Sequence, residues 1–421
     1  MKLFSYHTQQ ERDWIMYDVG NSALVLLSTT VVPIYFNALA AETTDAAGLV
    51  AQWGMAQTVA SLIVALLMPI LGSLADYSGN KIKFFTGFFA TGLVACLCQA
   101  LPVSAAVFLG IYVVATVGLN SSMTFYDAML VDVTDNERMD DISSAGFAWG
   151  YIGSTVPFLV CIALIFGGPS LLGLDTMFCT QMSFIITGVW WLCFTVPLLR
   201  SYRQVHFKDS EAPRAEIRDT FRGLARTMRD IFQDKHLFMF LVAFFFYIDG
   251  VHTVIAMATS YGSALGIDST QLILALLVTQ FVAFPSAIAY GKLADRFGTL
   301  NMIVVAVVAY CAIVGFAAFF LKSAAEFWVL AVLVGLFQGG IQALSRSYFG
   351  KIIPKDRSNE YFGFYDIFGR YASVMGTFLV SVVTALTGYA ELGVLSIAAL
   401  LVVGLVMLVV MPKERQEAVE A

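Results

Sequence analysis

Gly72-Ser-Leu-Ala-Asp76-Tyr-Ser-Gly79 returns 219 residues later as Gly291-Lys-Leu-Ala-Asp295-Arg-Phe-Gly298. In both copies Gly leads Asp by four and Asp leads Gly by three, and each phrase closes an apolar stretch. Val117-Gly-Leu119 recurs as Val334-Gly-Leu336, and Gly146-Phe147 as Gly363-Phe364, both 217 residues on. A looser pair links Tyr17-Asp18-Val19-Gly20-Asn21 with Tyr247-Ile-Asp249-Gly-Val-His252. A long repeat of this kind makes the chain a duplicated unit whose function is expected between the halves.

The chain around these phrases has 421 residues, 59% hydrophobic and 13% charged, with mean hydropathy +0.78. Only lipid as solvent accounts for so much apolar side chain. A spanning helix needs ~20 apolar residues, and twelve such stretches are read. They cover roughly 14–40, 49–75, 84–101, 104–130, 143–167, 176–199, 237–263, 270–294, 300–321, 325–350, 361–388 and 390–411. The expected fold is an all-α integral membrane protein of two pseudo-symmetric six-helix halves. Residues 1–199 and 237–421 form the halves, and 200–236 form a linker. The polar start, Met1 to Asp13, lacks the apolar core of a signal peptide, so the first helix is expected to stay.

Cations set the expected orientation. Lys81, Lys83, Arg138, Arg296, Lys351, Lys355, Arg357, Lys413, Arg415 and nine basic residues of the linker fall on one side, and Lys322 alone on the other. Both termini and the linker are therefore expected in the cytoplasm, with the protein in the cytoplasmic membrane. From Arg214 the linker reads as an amphipathic helix: Ile217, Phe221, Leu224, Met228 and Phe232 recur every three or four residues, with arginines on other faces. Such a helix suits the inner membrane surface; it can serve as a tether or as a partner-binding element.

The repeated phrase suits a mechanical part. Gly lets another helix approach closely. Asp at a helix end can accept from backbone N–H groups at a neighbouring helix N-terminus and from a basic side chain. The closing Gly permits positive φ. One clasp per half would shut the cytoplasmic side, with Arg138, Lys355 and Arg357 as candidate cations; a static loop cap is the other reading. The phrase resembles the signature between helices 2 and 3 of the major facilitator superfamily. Gly72, Asp76, Gly79 and Lys81 match it, as do Gly291, Asp295, Arg296 and Gly298. Tyr77 replaces the common Arg in the first copy, and Thr299 and Leu300 stand where basic residues are usual in the second.

A narrower resemblance covers almost the whole chain. It runs through Tyr17-Asp18-x-x-Asn21-Ser22-Ala23, Phe125-Tyr126-x-Ala128-x-Leu130, Glu137-Arg138 and Asp249-Gly250-Val251-x-Thr253. Gln338-Gly339-Gly340-x-Gln342-Ala343-Leu344-Ser345-Arg346 and Phe362-Gly363-Phe364-Tyr365-Asp366-x-Phe368-Gly369-Arg370 are its most specific parts. These resemble the UMF1 branch, bacterial relatives of the autophagy-related vacuolar effluxer Atg22. Val19-Gly20 and His252 depart from its usual residues. The resemblance implies a multi-pass secondary carrier; amino-acid export, associated with the vacuolar relatives, carries over weakly.

Charge in mid-bilayer is costly and marks function or pairing. Asp249 lies twelve residues past Leu237, about 18 Å along a helix crossing a ~30 Å core. His252 follows three residues later on the same face. The two can exchange protons with a substrate gradient or form a static hydrogen bond. Asp18 and Asn21 are their counterparts in the first half, nearer the cytoplasmic mouth. Asp366 and Arg370 share a face and either satisfy each other or leave Arg370 to hold an anionic substrate group. Gln338 and Gln342 can bind a neutral polar solute or another helix. Asp127 and Arg346 are read as gate residues.

No phosphate-binding Gly-x-x-x-x-Gly-Lys loop, His-Glu-x-x-His or Cys-x-x-Cys pattern occurs, and the six Cys all lie in apolar stretches. ATP drive, a metal site, a cofactor and catalysis are not expected, and the net charge of −6 predicts no nucleic-acid partner. The expected activity is proton-coupled movement of a small polar solute, with an amino acid as one candidate, by a monomer in contact with membrane lipid. Two alternatives stand beside it: a non-transporting sensor or scaffold working through the linker helix, and a lipid or lysolipid transporter.

Overall fold

The computed structural model describes residues 7–412 except 42, 209–216 and 265, and leaves undescribed the side chains of 46, 47, 50, 217–222, 259, 260, 264, 269, 270 and 370–374. The described residues form helices: α1 (Gln9–Ala40), α2 (Ala46–Ala75), α3 (Asn80–Cys98), α4 (Ala105–Val133), α5 (Met139–Leu172), α6 (Thr176–Ser201), α7 (Ile217–Gln233), α8 (Lys235–Ala264), α9 (Ser269–Phe297), α10 (Thr299–Phe320), α11 (Ala324–Ile352), α12 (Ser358–Thr387) and α13 (Ala390–Val410). All but α7 correspond to the expected spans. Among the described residues, eleven of these helices are long and apolar enough to cross a bilayer. The other, α12, has 30 residues, about 45 Å of helix. It is apolar from Met375 to Thr387 and polar earlier.

Local chemistry starts and stops these helices. Thr8 and Glu11 form a capping box at α1, and Asp45 and Asp175 accept from the first-turn amides of α2 and α6. Gly79, at φ 70°, turns the chain from α2 into α3, and Gly298, at φ 87°, does so between α9 and α10. Pro33, Pro69, Pro157, Pro197 and Pro285 sit inside helices, as they can when neighbours and local adjustments re-satisfy the backbone.

The chain divides into two compact units. The first contains the described residues through Lys208 and also Pro354–Gly363, the start of α12. The second contains α7 to α11, the rest of α12, and α13. Within the first, α1 packs on α5 and α6, α2 on α4, and α3 on α4 and α6. Within the second, α8 packs on α13, α9 on α11, and α10 on α11 and α13. The repeat read in the sequence is thus a repeat of packing: α1–α6, α2–α4, α3–α4 and α3–α6 become α8–α13, α9–α11, α10–α11 and α10–α13.

Close helix approach depends on small residues. A Cβ at Gly92 would stand 3.0 Å from the backbone of Gly118 and Leu119, so α3 and α4 meet backbone to backbone. Large apolar side chains such as Ile34, Leu66, Phe166 and Val409 are exposed, as a lipid-facing surface requires.

Candidate functional site

Helix α2 ends where Asp76 takes over as its C-cap. Asp76 is 1% exposed. Its Oδ1 accepts from the backbone N–H and the side-chain amide of Asn359, each at 2.8 Å, and its Oδ2 accepts from the N–H of Glu360 at 3.2 Å. Those two backbone amides belong to the first turn of α12, whose N–H groups have no intrahelical acceptor and carry the positive end of the helix dipole. Gly72, one turn earlier, makes the approach possible: a Cβ there would lie 2.5 Å from the Asn359 carbonyl oxygen. Gly363 does the same from the other side, since its Cβ would meet the Met68 carbonyl at 3.0 Å.

A second ion pair lies beside the first. Lys81 and Asp132 have fully buried side chains, with Nζ 2.6 Å from Oδ2. Lys81 also donates to the Ala128 carbonyl at 3.1 Å and to Ser358 Oγ at 2.9 Å. Asp132 accepts further from Tyr202 O–H at 2.6 Å and from the N–H groups of Val205 and His206 at 3.0 and 2.8 Å. Burial and the neighbouring Asp132 raise the Tyr202 phenol well above its usual range, so it stays a donor. Lys208 stands 3.7 Å from Asp76 and 3.2 Å from Glu360, and its N–H donates to the Asp76 carbonyl at 2.9 Å. Two acid–base pairs thus bracket the start of α12. Removing one member of a buried pair typically costs about 3–5 kcal/mol because the other charge is left behind.

The cations nominated from the sequence are placed differently around Asp76. Its partners are Lys208, Asn359 and Glu360, not Arg138, Lys355 or Arg357. Arg138 lies 3.1 Å from Glu11, which is also bound by Thr134. Arg357 lies 3.5 Å from Glu360 and over the Tyr361 ring. Lys355 is in the short 3-10 turn before α12. The reason is geometric: the first residues after α6 run back across α2 and bring Lys208 nearer than any of the three.

The second phrase has a different setting. Gly291 is buried, but Asp295, Arg296 and Gly298 are exposed. The Arg296 guanidinium lies over Phe297.

Further in, Asn21 donates to Asp18 at 3.1 Å, and both are buried in the first half of α1. Asp249 stands halfway along α8 and is fully buried. Its Oδ1 accepts from the Gly376 N–H of α12 at 2.9 Å and from Thr253 Oγ1 at 3.3 Å. Its Oδ2 is buried without a hydrogen-bond partner. A Cβ at Gly376 would collide with Thr253 and stand 2.7 Å from Asp249, so only glycine fits. Thr253, one turn on, lies against the carboxylate, and His252, its expected partner, is half-buried in the same helix. Gln338 is buried in α11, Gln342 and Asp366 are half-buried, and the Arg370 side chain is outside the described residues. Asp132, Tyr202, His206, Lys208, Asn359, Glu360, Thr253 and Gly376 were not nominated in advance. Asp132 was the readable one, as an acid near the end of an apolar stretch that must find a cation.

No group of three His, Cys, Asp or Glu among the described residues could hold a metal ion.

A family profile described as "Vacuole effluxer Atg22 like" matches residues 131–420. The chain is 44% identical over 412 residues to the protein of Bacillus subtilis described as "Uncharacterized MFS-type transporter YxiO", covering 97% of this chain and 96% of that one. It is 28% identical over 302 residues to autophagy-related protein 22 of Cryptococcus neoformans var. neoformans serotype D, covering 66% of this chain and 54% of that longer one. Among solved structures, the E. coli fucose:proton symporter FucP aligns with TM-score 0.71 at 13% identity, over 96% of this chain and 98% of that one. The proton:xylose symporter XylE aligns with TM-score 0.72 at 10% identity, over 97% of each. These two establish the fold alone. The profile match, the Bacillus relative and the shared fold agree with the packing repeat and the glycine–aspartate phrases, and the chain therefore belongs to the Atg22-like branch of the major facilitator superfamily, a membrane transporter and not an enzyme.

Proposed function

We propose that this secondary transporter moves a small polar solute, an amino acid being the first class to test, by alternating access between two six-helix halves, coupled to protons at Asp249. The observation that carries the coupling is the buried Asp249 Oδ2 without a hydrogen-bond partner, halfway along a membrane-crossing helix. A carboxylate there is expensive unless it is neutralised. A protonated group leaves it neutral, and exchange of that proton on each cycle links solute to gradient. Asp18, with Asn21, is the weaker second candidate for proton exchange. Gln338 and Gln342 supply neutral hydrogen-bonding groups for the solute, and Asp366 and Arg370 a charged pair in α12.

The gate is the Asp76 clasp on the start of α12. The excess of Lys and Arg on the linker side supports a cytoplasmic location for this clasp, for the linker and for both termini, in the cytoplasmic membrane. Closing it seals the cytoplasmic mouth, and releasing it frees α12.

The reading is tested in proteoliposomes with an imposed pH gradient and amino acids, sugars and nucleosides as solutes. Asp249→Asn should fold, keep solute exchange at equal pH on both sides, and lose gradient-driven accumulation by on the order of 10²-fold, the scale of losing a positioned proton carrier. Accumulation unchanged in Asp249→Asn would remove Asp249 as the coupling group.

A further inference from the structure

The first residues after α6 are spread over the clasp in extended form. Tyr202, Val205 and His206 are tied to Asp132, and the His206 ring lies 3.3 Å from the same carboxylate. Gln204 donates to the Ala75 carbonyl at 3.2 Å and accepts from the Lys81 N–H at 3.4 Å. Lys208 is bound at both ends of its own structure: its N–H to the Asp76 carbonyl, its Nζ between the carboxylates of Asp76 and Glu360. A flexible tether would make no such set of bonds.

Asp76 and Glu360 are each 1% exposed, and the two acids come from different helices. Asp76 is drawn to the amide end of α12, but Glu360 arrives on that same first turn and brings a like charge with it. Two buried carboxylates at one spot repel strongly unless a cation lies between them. Lys208 is that cation for Asp76, while Arg357 faces Glu360 from within the same turn.

We propose that Tyr202–Lys208 is a strap of the gate and that Lys208 is the positioning residue that holds the start of α12 against α2. The inference rests on the gate reading above. The linker between the halves is then a working part: the clasp opens only when Lys208 gives up Glu360, and any pull on the linker that lifts the strap loosens α12. Asp132 and Lys81 anchor the strap, since the same Lys81 that holds Asp132 also holds Ser358 of α12.

Hydrogen exchange on the full chain in lipid nanodiscs tests this without knowledge of the solute. The reporters are the Asn359 and Glu360 amides, read in peptides covering 354–363. Lys208→Met keeps the length of the side chain and removes the charge. It should speed exchange there by about tenfold or more, leaving the packed stretch around Trp191 unchanged; Lys208→Arg should restore protection. Asp76→Ala, which removes the acceptor itself, is the second variant. Faster exchange in Asp76→Ala but not in Lys208→Met would overturn the strap and leave the gate standing. Unchanged exchange in both would overturn the gate reading and the strap with it.

Discussion

At Asp76 a carboxyl at a helix end has been taken out of water and surrounded by donors. Burial pushes it from 3.8 up to about 7, against the pull of Lys208 and, further off, Lys81. Glu360 faces it from α12, and Asp132 stands behind Lys81. The clasped state therefore holds this proton more tightly than an open, hydrated state. Its contribution to stability is fully present below about 4, declines as pH rises, and is lost through about 7. The melting temperature of the purified protein is expected to fall between pH 5 and pH 8, with a visibly smaller fall in Asp76→Asn, which cannot titrate. An equal slope in the two proteins would show that another group sets the pH dependence. The place of Asp249 halfway along its helix was legible from the sequence, because residue counting along a helix gives distance. Its partners were not. Thr253 is a local neighbour, but Gly376 is 127 residues away, and no local pattern names a glycine as the donor to a distant acid.

At the scale of elements, the clasp works because glycine lets α2 and α12 touch by their backbones. This gives a matched comparison within one helix. Gly72 would put a Cβ 2.5 Å from a carbonyl oxygen of α12, whereas Gly54 has nothing within 4 Å. Gly72→Ala should cost about 1–3 kcal/mol through overpacking and speed exchange in the α12 first turn. Gly54→Ala should be neutral or stabilising by up to about 1 kcal/mol, since alanine favours helix. Equal melting temperatures for the two variants would mean that the contact at Gly72 is loose. The sequence announced both glycine–aspartate phrases because they are short and repeated. It did not announce that the start of α12 would join the first unit, nor that the linker would supply the cation. Lys208 reads as one basic residue among nine in a polar stretch, and only folding separates it from the others.

For the whole molecule, the repeat of packing pairs says that one six-helix plan was used twice, but the two copies of the phrase are not in the same condition. Asp76 is buried and clasped, and Asp295 is exposed. The reading still requires both phrases on one side of the bilayer, as an even number of helix crossings between them dictates. Lys83 follows the first phrase, Lys292 lies inside the second, and Lys322 begins the turn before α11; all three are exposed. In a cysteine-free background, a single cysteine at Lys83 or at Lys292 should react with a membrane-impermeant maleimide in inside-out vesicles and not in intact cells. A single cysteine at Lys322 should react only in intact cells. Labelling of the first two from opposite faces would break the six-plus-six arrangement, and with it the idea that both phrases serve the cytoplasmic mouth. Labelling of all three from the inside would leave the phrases together but misplace the α10–α11 turn, so the crossing of α10 would have to be redrawn.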